Sequence, residues 1–186
     1  MYLNKQLLAA SVGASVLIII GVVETDHFLD KGNTSTSKVG LTMFTLGWVL
    51  MATLVSIHPL TGKFDWNLFL KRGLPALVVF AAAIVAQNMM KKGDKSSLMG
   101  GLVLFATSWG LFSSMLIYTE KTQRKERMVL IYGGAVAIVT SMLALMVNRQ
   151  YNALSGKWDG PGNVFGMGLP VFTLGWVAVC VGISLC

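Results

Sequence analysis

Apolar positions gather into six long stretches, at residues 7–23, 39–57, 74–90, 98–118, 128–147 and 164–185, each bounded by polar or charged residues. A helix needs about 20 apolar residues, with a range of roughly 17 to 25, to cross a bilayer. All six stretches fall near that length. Backbone groups inside hydrocarbon must be paired within their own segment, so stretches of this kind read as helices. The segments of a membrane β-barrel alternate apolar and polar residues, and these do not. The pattern predicts an all-α integral membrane protein of six spans forming a single domain over residues 1–186.

The stretches carry a repeated motif. Gly40-Leu41-Thr42-Met43-Phe44-Thr45-Leu46-Gly47-Trp48 lies in the second, Gly101-Leu102-Val103-Leu104-Phe105-Ala106-Thr107-Ser108-Trp109 in the fourth, and Gly168-Leu169-Pro170-Val171-Phe172-Thr173-Leu174-Gly175-Trp176 in the sixth. All three fit G-L-x-x-F-[TA]-x-[GS]-W. A glycine also stands at one common distance before each copy, at Gly32, Gly93 and Gly160. The spacing predicts three tandem two-helix hairpins. Because each unit holds an even number of spans, the copies point the same way, with a pseudo-threefold axis along the membrane normal. A second likeness, of Leu60-Thr61-Gly62-Lys63-Phe64-Asp65 to Leu154-Ser155-Gly156-Lys157-Trp158-Asp159, would instead relate two three-helix halves. The triple motif, with its unbroken identity over 44–49 and 172–177, is the reading adopted.

The candidate site is this motif: Gly47 and Trp48, Ser108 and Trp109, Gly175 and Trp176. Tryptophan ordinarily sits at the headgroup level, and these three fall near mid-span. One role is packing, the small residue admitting a neighbouring helix and the indole filling the adjacent space. The other is a ring of three indoles around the axis, forming a constriction. Two stripes of small residues, Ala106/Gly110/Ser114 and Gly133/Ala137/Ser141, are expected to be close helix seams.

Composition supports the membrane reading. Apolar residues make up 54% of the chain and charged ones 12%, where a soluble domain carries about a quarter. The net charge of +7 would admit nucleic acid as a partner, but the basic residues lie between or at the ends of apolar stretches, so none is expected. The side shared by the N-terminus, the second and fourth connections and the C-terminus carries eight of the 15 basic residues, which favours both termini in the cytoplasm. The first stretch lacks a cleavage site before Glu24 and Asp26 and is expected to be retained. Asn33-Thr34-Ser35 matches a glycosylation triplet in the first connection.

The connections read as loops, with two further features. Trp66, Phe69 and Leu70 at helical spacing suggest a short interfacial helix within 61–72. Asn163 suits the N-cap of the last helix. No Asp, Glu, Lys, Arg or His lies well inside a span, which argues against an ion-coupled transporter. Cys180 and Cys186 on one helix would stand about 9 Å apart, too far for a disulfide. His27 and His58 do not suggest a haem or metal site. Glu24, Asp26, His27 and Asp30 cluster after the first stretch, as a solvated loop would. No catalytic residues, cofactor or metal are therefore expected. The expected partners are the lipid bilayer and other membrane proteins, with a homo-oligomer open. The function these features suggest is non-enzymatic, a structural or assembly subunit or scaffold of a membrane complex or membrane-bounded particle; the alternative is a channel or facilitator for a small neutral solute.

Overall fold

A computed structural model of the chain describes residues 3–30, 34–58, 61–90, 95–119, 125–155 and 162–185. Among them six helices carry the fold: α1 (Lys5–Asp30), α2 (Thr34–Leu54), α3 (Leu74–Met90), α4 (Lys95–Tyr118), α5 (Lys125–Ser155) and α6 (Gly162–Ser184). Each apolar stretch lies within one helix, apart from its last residues at 55–57 and 185. Among the described residues three helical segments are long and apolar enough to cross a membrane, Lys5–Val22, Trp66–Met89 and Met99–Tyr118, and the described parts Lys38–Leu54 and Pro170–Ser184 of α2 and α6 are also apolar.

Several helices run beyond their apolar stretch. Residues 26–30, 34–38 and 150–155, expected in loops, are helical. An apolar stretch ends where side-chain character changes, whereas a helix continues for as long as its backbone hydrogen bonds do. Asn163 accordingly lies inside α6 rather than capping it. Asn33 falls outside the described residues, as do the side chains of Glu24, Asp26, His27 and Asp30.

The interfacial helix expected within 61–72 is not a separate element. Asp65 caps one α-turn, Trp66–Leu68, its carboxylate accepting from the Asn67 and Leu68 amides at 2.7 and 3.3 Å. A π-helical turn, Phe69–Gly73, then leads directly into α3. Pro75 gives a physical reason: it has no N–H to offer the Lys71 carbonyl, and a wider turn relieves the crowding of its ring.

Consecutive helices pack in sequence order, and α6 returns to α1. The closest approaches lie within the pairs α1–α2 and α5–α6, where glycine lets backbones meet. A Cβ on Gly21 would stand 2.5 Å from the Phe44 amide nitrogen, and one on Gly134 2.5 Å from the Gly175 carbonyl. Gly110 and Gly133, placed in the expected seams, have open space where a Cβ would be. Residues four apart on a helix turn about 40° further at each step, so such a row soon leaves a contact. Of those stripes Ser141 is buried, and the Ser114 hydroxyl lies 3.3 Å from the Tyr132 hydroxyl across α4 and α5.

The outer surface is apolar, including Val16 and Ile20 of α1, Leu46 and Val49 of α2, Val103 of α4, Val136 of α5 and Leu174 of α6. Exposed threonines on it bond to their own helices. Thr42, Thr45, Thr53, Thr107 and Thr140 each donate to the carbonyl four residues back, at 2.6–2.9 Å. Such back-bonding satisfies a hydroxyl on an apolar face without a partner outside its own helix.

Candidate functional site

The three repeated tryptophans meet. Trp48 of α2, Trp109 of α4 and Trp176 of α6 form a triangle with ring centroids 5.9, 5.6 and 5.3 Å apart. The rings stand at 63–73° to one another, edge to face. These separations are ring contact, so the indoles close on each other and leave no opening between them. All three are at most 2% exposed.

One helical turn earlier on each helix stands a phenylalanine. Phe44, Phe105 and Phe172 lie 6.4, 6.5 and 6.5 Å from their tryptophans, again edge to face. On the other side of the indoles Met51, Phe112 and Val179 are fully buried, and Phe112 touches Trp48 and Trp109 at 6.4 and 5.8 Å. A further turn on come Val55, Leu116 and Ile183, also buried. From residue 44 onward the buried positions of α2 and its end are 44, 47, 48, 51, 52, 55 and 56; the matching positions of α4 and α6 are buried as well. The centre is thus filled with side chains in successive layers.

The small motif residues face outward from this centre, onto the other helix of each pair. A Cβ on Gly47 would stand 2.8 Å from the Ala14 carbonyl oxygen, and one on Gly175 2.8 Å from that of Gly134. Ser108, also buried, turns its hydroxyl onto its own helix, to the Phe105 carbonyl at 2.7 Å.

Four buried polar atoms have no hydrogen-bond partner among the described residues: Nε1 of Trp48, Trp109 and Trp176, and Oγ of Ser113. Within the edge-to-face triangle each indole N–H has aromatic rings beside it, which provide a weak acceptor. Ser113 has none of this. At the matching position of α6, Cys180 stands 3.0 Å from Ser15 of α1, a pair that closes the ring of helices. The residue of α5 that corresponds to Ser15 is Ala135, buried and without a side-chain partner to give. A hydroxyl left unpaired in a core costs about 1–3 kcal/mol. Ser113→Ala is therefore expected to keep or raise the thermal unfolding temperature in detergent, and Ala135→Ser to raise it. A large drop with Ser113→Ala would mean that the hydroxyl is paired.

Two arginines escape a sequence reading because they sit at helix ends. Arg72 and Arg127 are 6% and 3% exposed. Arg72 Nε donates to Thr119 Oγ1 at 2.5 Å, just past the end of α4, and Arg127 Nε to the Gly182 carbonyl at 2.8 Å, near the end of α6. A helix C-terminus carries partial negative charge, so each guanidinium is held where its charge is favoured. The only advance signal was that each stands beside an apolar stretch, which suggests solvent as readily as burial.

These features define an all-helical, partly apolar protein compatible with a membrane protein. No family model, curated protein or solved structure matches the chain.

Proposed function

We propose that the chain is a six-span integral membrane protein built of three tandem two-helix hairpins about a filled pseudo-threefold axis. Its role is structural, as a non-enzymatic subunit or scaffold in a larger membrane complex or membrane-bounded particle. The observation that carries this reading is the indole triangle, where the three repeated tryptophans are buried against one another. The hairpin reading draws support from the matched Phe–Trp pairs and from the common register of burial on α2, α4 and α6. It also draws support from the ring of contacts, in which the second helix of each pair meets the first of the next. Membrane insertion is supported by the apolar outer face and its internally bonded threonines.

The test is the native mass of the protein extracted in the mildest detergent that solubilises it. A stoichiometric complex with other membrane proteins is expected. A lone monomer or a homo-oligomer of this chain would overturn the subunit reading. The second reading, a facilitator of a small neutral solute, has one observation in its favour: three indole N–H groups and the Ser113 hydroxyl near the centre lack hydrogen-bond partners. It requires the indoles to part, and flux in liposomes tests it.

A further inference from the structure

One exposed feature is built too firmly to be incidental. Between α2 and α3 the chain makes a braced turn. His58 N–H donates to the Lys63 carbonyl and Gly62 N–H to the His58 carbonyl, each at 2.9 Å, while Asp65 N–H donates to the Ser56 carbonyl at 3.0 Å. Gly62 takes a φ of +64°, a left-handed value that most side chains avoid. The Asp65 cap then fixes the turn that follows.

This scaffold holds aromatic rings outward. Phe64, Trp66 and Phe69 contact one another with centroids 5.2, 5.6 and 5.7 Å apart. Trp66 is 71% exposed and adjacent Leu70 59%. A braced, exposed apolar cluster is costly in water and favourable at a bilayer surface, where an indole keeps its ring in the apolar layer and its N–H among headgroups. Its position agrees. The 24 residues of Trp66–Met89 span about 36 Å at 1.5 Å per residue, and hydrocarbon is about 30 Å thick. The end of this helix therefore reaches the headgroups.

Charge identifies the headgroups. Lys63 and Lys71 flank the cluster and are exposed. The Arg72–Thr119 bond sets this end beside Tyr118, another exposed aromatic. The starts of α1 and α5 join it, through Asn4 N–H to the Ser184 carbonyl and Arg127 to Gly182, and bring exposed Lys5 and Lys125. Among the described acids here, Asp65 is engaged in its cap and Glu126 is exposed. Among the described residues, four exposed lysines against the Asp65 and Glu126 carboxylates give this end a basic field.

We infer that the Phe64–Trp66–Phe69 cluster with Lys63 and Lys71 is a docking surface for anionic phospholipid headgroups. The inference rests on the membrane reading above. It assigns a lipid preference to one end of the bundle.

The experiment uses the full chain with vesicles of phosphatidylcholine, alone or mixed with phosphatidylglycerol. Flotation after an alkaline carbonate wash reports insertion, and native mass spectrometry of the re-extracted protein reports the phospholipids retained. The wild-type protein is expected to float with both vesicles and to retain phosphatidylglycerol in excess of its share. Lys63→Gln and Lys71→Gln are each expected to lower that excess by roughly fivefold, with flotation unchanged. Lys38→Gln, at the start of α2 and the opposite end, is expected to leave it intact. A protein that floats but shows no excess overturns the headgroup assignment alone, as does an excess that survives both lysine changes. A protein that floats with neither vesicle overturns the membrane reading and this inference with it.

Discussion

Gly134→Ala is expected to lower the thermal unfolding temperature in detergent by several degrees, and Gly133→Ala to leave it unchanged or raise it. The two glycines are neighbours on α5, and composition cannot distinguish them. A Cβ on Gly134 would stand 2.5 Å from the Gly175 carbonyl oxygen and 3.0 Å from the Val179 amide nitrogen. Both obstacles are backbone, so no rotamer change relieves the contact and α5 and α6 must separate. Overpacking of this kind costs about 1–3 kcal/mol, which exceeds the gain of up to about 1 kcal/mol that alanine brings to a helix. The separation would also disturb Gly175 and, beside it, Trp176 of the central triangle. At Gly133 a Cβ meets open space, so the helix-forming gain stands unopposed. Equal effects at the two positions would contradict the close crossing of these helices.

The same pair shows what the sequence makes legible. The motif around Trp48, Trp109 and Trp176 announced itself by recurring, and the register that recurs in sequence is the register buried in the fold. Spacing alone placed the tryptophans on matching turns of separate helices. It left both roles for them open, because whether three indoles surround an opening or fill it depends on a few ångströms of helix separation. Glycine was harder to read. Gly110 and Gly133 looked like seam residues through their spacing to other small residues, yet the close crossings use Gly21, Gly47, Gly134 and Gly175. A glycine admits a neighbour only where a partner helix already lies, and partner direction is a tertiary property. The Ser15–Cys180 contact is likewise invisible locally, since 165 residues separate its members. Arg72 and Arg127 stand beside apolar stretches, a position that does not distinguish a solvated charge from a buried one; their burial depends on helix ends brought beside them by the fold.

Replacing Trp109 with alanine is expected to be the most damaging single change in the centre, and replacing it with phenylalanine among the mildest. Trp109 touches Trp48, Trp176, Phe105 and Phe112, so its loss leaves a void walled by aromatic rings from three helices. Truncations of this size cost about 3–5 kcal/mol, a large share of the about 5–15 kcal/mol that holds an ordinary fold. Phenylalanine keeps a ring in the triangle and removes an N–H that has no hydrogen-bond partner. Part of the lost contact is then offset by removal of a buried donor that has only a weak aromatic acceptor beside it. Unfolding temperatures in detergent should thus rank wild type and Trp109→Phe close together and Trp109→Ala far below. The phenylalanine variant carries the decision between the two readings of the axis. In the structural reading the indole N–H serves nothing outside the triangle, so its removal is nearly silent and neither protein conducts a neutral solute in liposomes. In the facilitator reading the N–H meets a solute as the rings part, so wild-type liposomes conduct and Trp109→Phe slows that flux without unfolding the protein.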